Sequence, residues 1–380
     1  MPLNALTVRG AILLVLAALA LVLAAGLLAA PANRSANRWL ALFLAVLVGV
    51  GLDYAIDVSR LDSEMRWLRF APISVTMALG PLVWAYVHRL TLGRSPSWTP
   101  LHLLPAALEL AYRAAVYALP DHVRALLVDG RIRAVVAELF VFALPLSLAI
   151  YAVASIRLID RFSKRLSEQR SDVDQYAVTW LRAVMIVLLG TIALFAALRA
   201  VAMTGRVVDV FDVYPFYGWL LLVGLYLGIE ARRYLDRPFP ALPGDPEPAA
   251  ALPDDGRPAP ATPGKDWAGL ATEWRRITWD AGWYREPGLT LASLSRRLGV
   301  NTAYLSRGIN EGLGQNFSEM VNGMRAQAVA ERLDADGGAV DLLDLAFEMG
   351  FGSKSSFNRA FLALYGMSPS AYRDRARARS

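Results

Sequence analysis

The chain has 380 residues, 56% of them hydrophobic, and a mean hydropathy of +0.37. Such a composition is too apolar for a wholly soluble protein, and the length allows two or three domains. Cysteine is absent, which excludes disulfides, thiolate metal sites and cysteine nucleophiles. The formal net charge of +6 comes mostly from arginine, which suits phosphate contacts and also the cytoplasmic loops of membrane proteins.

Most of the apolar content precedes residue 235, in runs long enough to cross about 30 Å of hydrocarbon. Seven spans are the simplest count, and they are predicted near residues 10–30, 38–56, 70–90, 101–119, 134–156, 179–201 and 213–231. The fourth includes Glu109 and Arg113, and ionised groups in lipid are costly unless paired. Their spacing of four residues on one helix face allows that pairing.

The Lys and Arg residues of the loops predict the orientation of these spans. Taken together, alternate loops are richer in them than the loops between, and the four rich groups are Arg34 and Arg38, then Arg89 and Arg94, then Arg157, Arg161, Lys164, Arg165 and Arg170, then Arg232, Arg233 and Arg237. Seven spans with the amino terminus outside put all four rich groups in the cytoplasm. The carboxyl-terminal region is therefore predicted to be cytoplasmic.

The first span has a competing interpretation as a cleaved signal peptide, because it ends in the small residues of 29–32. Cleavage would leave six spans and would put the carboxyl-terminal region outside the cell. The length of the apolar run and the distribution of positive charge favour an uncleaved first helix.

Charged residues inside predicted spans are functional hypotheses by default. We therefore consider an intramembrane ligand or ion site formed by Glu109, Arg113, Glu138 and Arg199. The competing interpretation is that several of these groups lie at span ends, in contact with headgroups or water.

Motifs for metal binding and catalysis are missing from the sequence. The three histidines, His88, His102 and His122, are widely spaced, with no carboxylate at metal-ligand spacing, so no metal site is expected. There is no glycine-rich phosphate loop, nucleophile elbow or His-Glu-x-x-His pattern, so an enzyme is disfavoured and no cofactor is expected.

Residues 238–266 are rich in proline and predict an extended, semi-rigid spacer that reaches several tens of ångströms at about 3.1 Å per residue. Because such a tether transmits helix movement poorly, coupling through association of two protomers is expected instead. Helical order resumes from Trp267 to Tyr284. This helix is expected to pack on the core of the next domain, and a dimer contact or a membrane-surface anchor are the alternatives.

A first helix-turn-helix unit is predicted after this helix. Residues 289–299 form its supporting helix, which ends at Gly299, and Asn301 or Thr302 caps the following helix. Gly308 lies inside that helix, where glycine is expected to cost roughly 1 kcal/mol relative to alanine. A connecting helix follows over 316–333. Its buried positions are expected to be Phe317, Val321, Met324, Ala328 and Leu333.

A second helix-turn-helix unit over 344–369 has the stronger signal. Gly350 is expected to end its first helix in the left-handed conformation that side chains resist, and Ser353 is expected to cap the second helix. Phe357 and Phe361 lie four residues apart and so share a buried face. The remaining face is small, polar and basic, as a helix that enters a major groove should be.

The residues from about 270 to 376 resemble the DNA-binding domain of the AraC/XylS family of bacterial transcription regulators. The resemblance is carried by Gly350-Phe351, by Phe357 to Phe361, by Tyr365 to Pro369 and by Tyr372-Arg373. It implies that the connecting helix holds two reading helices about one DNA turn apart, so that one protomer contacts two successive major grooves. The residues expected to face the bases are Thr302, Ala303, Ser306 and Arg307 in the first unit, and Ser353, Lys354, Ser356 and Arg359 in the second.

We therefore predict an all-α protein with a polytopic membrane bundle over 1–237, a Pro-rich linker over 238–266 and a DNA-binding domain over 267–380. Its predicted function is membrane-bound, sequence-specific regulation of transcription from the bacterial inner membrane, with the bundle as sensor or anchor. The partners implied are double-stranded DNA, the lipid bilayer, a second copy of the chain, a small-molecule or membrane-derived signal and, for an activator, RNA polymerase. The alternatives are a membrane receptor or transporter whose helix-turn-helix domain docks a protein, and a membrane enzyme with fused regulation.

Overall fold

The computed structural model describes residues 7–59, 71–94, 96–120, 123, 131–176, 178–203, 214–234, 239–240, 265–336 and 340–378. The regular elements of these residues are all helices, which confirms the predicted all-α class. The chain divides into two compact units, the first made of Met1–Asp160 and Thr179–Ala241 and the second of Arg161–Val178 and Leu242–Ser380. The predicted linker over 238–266 lies almost wholly outside the described residues.

The amino-terminal helices include several that are long and strongly apolar. In chain order they are α1 (Val8–Leu28), α2 (Arg34–Val58), α3 (Leu79–Leu92), α4 (Thr99–His102), α5 (Leu104–Ala118), α6 (Arg131–Gln169), α7 (Thr179–Met203) and α8 (Tyr214–Arg232). Length and composition make four stretches of the described residues able to cross a membrane, namely Val8–Leu28, Arg34–Ile56, Phe142–Gln169 and Thr179–Leu198. These agree with the first, second, fifth and sixth predicted spans, and the other three stay predictions.

The third predicted span is shorter as a helix than the apolar run that suggested it. A 3-10 turn occupies Thr76–Ala78, and α3 begins only at Leu79 and has 14 residues. The polar residues before it are tied to side chains elsewhere, since Ser74 donates a hydrogen bond to Asp53 (2.6 Å). The backbone before α3 is not helical where this hydrogen bond is made. The number of apolar residues alone could not predict that.

The second unit is built around one hydrophobic core. Its helices are α9 (Trp267–Asp280), α10 (Leu291–Leu298), α11 (Thr302–Leu313), α12 (Phe317–Ala335), α13 (Leu342–Glu348), α14 (Lys354–Tyr365) and α15 (Pro369–Arg377). Two 3-10 turns, Val173–Tyr176 and Trp283–Arg285, complete it. The predicted buried face of α12 is confirmed, because all five of its predicted core residues are buried.

Helix α9 packs on this core, as expected, with Ala271 and Trp274 buried. Gly308 of α11 faces it, and a Cβ atom at Gly308 would overlap the Trp274 ring. The expectation that glycine only weakens α11 was therefore incomplete, because the missing side chain makes room for the indole.

Replacing Gly308 with alanine is expected to destabilise the second unit by about 1–3 kcal/mol, the usual result of overpacking. Gly323, in the middle of α12, has no atom within 4 Å of a Cβ placed there. Gly323→Ala is therefore the matched control, and it should stabilise the unit by about 0.5–1 kcal/mol through helix propensity. Hydrogen exchange of the amides of α11 and α12 in the full-length chain measures both changes, and equal effects of the two variants would contradict the packing argument.

Candidate nucleic-acid interface

The second helix-turn-helix unit consists of α13 and α14, joined by a short turn. Asp341 caps α13, because its carboxylate accepts hydrogen bonds from the backbone nitrogens of Asp344 (3.1 Å) and Leu343 (2.8 Å). These bonds stabilise the charged form and lower the pKa of Asp341. Gly350 has φ of +91°, as predicted, and the chain then turns so that Phe351 is buried.

Helix α14 begins and packs as its sequence predicts. The Ser353 hydroxyl caps it by accepting a hydrogen bond from the backbone nitrogen of Ser356 (3.1 Å). Phe357 and Phe361 are buried in the core together with Ala346 of α13. The small Ala346 side chain lets the two helices approach closely, which aims the opposite face of α14 outward.

The outward face of α14 carries three of the four residues with which the second helix-turn-helix unit was expected to contact DNA. Lys354, Asn358 and Arg359 are exposed, and Ser353 is half-buried. Ser356 differs from the expectation, because only 6% of it is exposed. Its hydroxyl lies against Asp174, a residue of the turn between α6 and α7.

The first helix-turn-helix unit consists of α10 and α11, and each of these helices is capped at its start. Thr290 and Ser293 form a capping box on α10, and Asn301 caps α11 by accepting a hydrogen bond from the backbone nitrogen of Ala303 (2.8 Å). Asn301 is therefore the cap, and the Thr302 hydroxyl instead lies 2.9 Å from the Ser295 hydroxyl. This contact gives Ser295, which is buried, a polar partner.

The predicted reading residues of α11 lie on one side of it. Thr302, Ala303 and Arg307 are exposed and Ser306 is half-buried. The Arg307 guanidinium bonds Glu311 one turn later (2.8 Å) and lies over the Trp267 ring, 5.4 Å from its centroid. Both contacts hold the guanidinium near the protein surface, so DNA would have to compete with Glu311 for it.

Helix α12 contains a buried arginine that the sequence reading missed. Arg325 is fully buried, and it donates hydrogen bonds to the carbonyl oxygens of Tyr284 (2.7 Å) and Glu286 (2.8 Å), to the Asn322 side chain (3.0 Å) and to the Ser171 hydroxyl (3.2 Å). Burial lowers its pKa to about 10, so it stays charged at neutral pH. Its position four residues after a core residue, Val321, is the one signal that could have found it.

The charged residues predicted to form an intramembrane site belong to the first compact unit, Met1–Asp160 and Thr179–Ala241. Glu109 is buried and pairs with Arg113 (3.4 Å), which confirms the predicted pairing, and Arg113 also reaches Asp53 (3.3 Å). Glu109 accepts hydrogen bonds from the Thr76 hydroxyl (3.0 Å) and from the backbone nitrogen of Met77 (2.9 Å). Glu109 thus satisfies donors of the 3-10 turn before α3, a structural task that its predicted role as a ligand did not include.

The side chains of Glu138 and Arg199, the other two residues of that predicted site, lie outside the part of the chain that the structure describes. A ligand or ion site formed by all four residues therefore stays a prediction.

Comparison with known proteins gives one match. Residues 294–375 match a family described as a helix-turn-helix domain, which supports an AraC-like DNA-binding domain and hence a DNA-binding transcription regulator. The matched residues run from α10 to α15 and include all eight predicted reading residues. A comparison with curated proteins and one with solved structures find no significant match.

Proposed function

We propose that this chain is a membrane-bound, sequence-specific regulator of transcription. The observation that carries the proposal is the arrangement of two capped helix-turn-helix units around the buried helix α12, with polar faces on α11 and α14. The family match over the same residues supports duplex DNA as the partner.

The proposed mechanism has no bond-making step. Arg359, Lys354 and Arg307 neutralise phosphates and supply affinity, which falls as salt displaces them. The short side chains beside them, Thr302, Ala303, Ser306, Ser353 and Ser356, contact base edges and supply specificity.

The membrane part of the proposal is supported by the four apolar stretches and by which segments of the chain form the second compact unit. Arg161–Val178 and Leu242–Ser380 form one compact unit, so the loop between α6 and α7 and the carboxyl terminus would lie on the same side of a bilayer. A chain that returns to one side crosses an even number of times, and α7 together with α8, the predicted seventh span, would supply two crossings. This agrees with the odd span count and the cytoplasmic DNA-binding domain that the positive charges predict.

In this proposal, residues 1–237 anchor the protein in the inner membrane or sense a signal, residues 238–266 are the tether and residues 267–380 read DNA. A second copy of the chain and, for an activator, RNA polymerase are the further partners. A small-molecule or membrane-derived signal acting on residues 1–237 would adjust the affinity of residues 267–380 for DNA.

The test uses the full-length chain in lipid nanodiscs with a fluorescently labelled duplex of random sequence. Binding followed by anisotropy should weaken steeply as salt rises, by about a thousandfold between about 50 and 200 mM if about six phosphates are neutralised. Selection from a randomised duplex pool should then enrich a defined sequence. An affinity for duplex that does not change with salt concentration, or a selection that enriches no sequence, would favour the protein-docking alternative. Protease added to the periplasmic side should leave the carboxyl-terminal domain intact, and its removal would contradict the proposed orientation.

A further inference from the structure

The segment Arg170–Tyr176, which we call the α6–α7 segment, is attached to the core of the second unit. Ser171 donates hydrogen bonds to the Leu289 carbonyl oxygen from its backbone nitrogen (3.1 Å) and from its hydroxyl (3.0 Å). Its own carbonyl oxygen accepts a hydrogen bond from the Asn322 side chain (3.0 Å). These contacts determine where the following 3-10 turn, Val173–Tyr176, lies.

That turn covers the first turn of α14. The Ser356 hydroxyl donates a hydrogen bond to one oxygen of the Asp174 carboxylate (2.5 Å), and the Arg359 guanidinium pairs with the other. The Asp174 side chain is 11% exposed, whereas that of Arg359 is 68% exposed. Gln175 lies so close to Gly352 that a Cβ atom there would overlap its amide nitrogen.

The chemistry of this contact resembles that expected for DNA. A carboxylate held by a hydroxyl and a guanidinium at a helix N-terminus has the charge and the acceptor oxygens of a backbone phosphate in the same place. The Ser356 hydroxyl has one proton to donate, so it can serve Asp174 or a nucleic-acid oxygen but not both. A phosphate brought beside Asp174 would also be repelled by its negative charge.

We propose that the α6–α7 segment is an intramolecular competitor of DNA that closes the N-terminal turn of α14 until it is withdrawn. This inference rests on the proposed function, because it presumes that α14 binds DNA. The segment continues directly into the apolar stretches Phe142–Gln169 and Thr179–Leu198, so a signal that shifts those helices would also shift Asp174. Such a connection transmits movement over a few residues, which the long Pro-rich tether does poorly.

The two parts of the segment have separable roles. Ser171 bonds the buried core through Leu289, Asn322 and Arg325, so its loss would disturb the folding of the unit. Within the described residues, the Asp174 side chain bonds only Ser356 and Arg359, both on α14. Asp174 is therefore the position at which competition can be removed while the attachment of the segment is kept.

The first experiment compares full-length Asp174→Ala with wild type in nanodiscs, using the labelled random duplex. Asp174→Ala should bind about three- to tenfold more tightly, as expected when a partly solvated ion pair and hydrogen bond no longer hold the closed state. Glu273→Ala removes the same charge from α9, where the carboxylate bonds Arg276 one turn away, and it should change the affinity less than twofold.

Equal or weaker binding by Asp174→Ala, with unchanged hydrogen exchange in the second unit, would overturn the competition. So would an equal gain in Glu273→Ala, because the effect would then come from net charge. If neither wild type nor any variant bound the duplex, the proposed function itself would fail, and this inference with it.

The second experiment uses the absence of cysteine from the chain. Cysteines introduced as Gln175→Cys and Gly352→Cys, two neighbouring positions that leave Asp174, Ser356 and Arg359 in place, should be joined by a short thiol-reactive cross-linker in the DNA-free protein, and each single variant is the control. Saturating duplex should slow the cross-linking, and the cross-linked protein should no longer bind. Cross-linking at the same rate with and without bound duplex would show that both are accommodated together and would overturn the proposal.

Discussion

Replacing both Lys354 and Arg359 with alanine is expected to abolish sequence-specific DNA binding while the second unit stays folded. Both side chains are exposed on α14, so their loss removes no core packing. Each contributes about 1–3 kcal/mol if it contacts a base or a phosphate, which predicts a combined loss of about a hundredfold or more in affinity. Anisotropy with a selected duplex measures the loss, and the slope of affinity against salt should also fall.

The matched control is the pair Arg275→Ala and Arg276→Ala on α9, which removes the same two charges. Arg275 bonds Gln327 (3.1 Å) and Arg276 bonds Glu273 (2.7 Å) and Asp280 (3.0 Å), all on the surface. In this control only the long-range attraction for DNA should weaken, and salt largely screens that attraction. Comparable losses in the two double variants would refute the assignment of α14 as a reading helix.

Replacing Arg325 with methionine is expected to destabilise the second unit by about 2–5 kcal/mol, the usual effect of leaving buried polar groups without partners. The carbonyl oxygens of Tyr284 and Glu286, the Asn322 side chain and the Ser171 hydroxyl would lose the donors that Arg325 provides, and three of these four bonds are buried. Burying the charge is itself costly, as its lowered pKa indicates, but the methionine side chain supplies none of the four missing hydrogen bonds.

Hydrogen exchange of the α12 amides in the full-length chain measures this change. Arg332→Ala on the same helix is the control, because Arg332 is exposed and pairs with Asp336 one turn later (2.7 Å). Its removal should change stability by less than about 0.5 kcal/mol. Protection of Arg325→Met equal to that of wild type would show that the Arg325 network contributes nothing to stability.

Features with a local cause were predicted well from the sequence. Gly299 and Gly350 end their helices with positive φ, because only glycine takes that conformation without strain. Ser353 caps α14, and the aromatic pair Phe357 and Phe361 is buried, because four residues bring two side chains to one helix face. Each of these predictions depends on residues that are close in the chain.

Features that depend on distant partners were not predicted. Gly308 was expected only to weaken α11, but Trp274 occupies the space its side chain would take. Ser356 was expected to face outward, but Asp174, 182 residues earlier, covers it. The reading of α12 counted apolar side chains and so passed over Arg325, whose acceptors come from Tyr284, Glu286 and Ser171.

The sequence by itself determined the helical class, the capped helix-turn-helix units and the apolar stretches, because helix ends, periodicity and hydropathy are properties of neighbouring residues. Only the tertiary structure decided which polar groups are covered. A hydroxyl or a guanidinium has the same local pattern whether it faces water, a carboxylate or a backbone carbonyl. Its environment depends on which remote segment packs against it, and for α14 that segment is the turn containing Asp174.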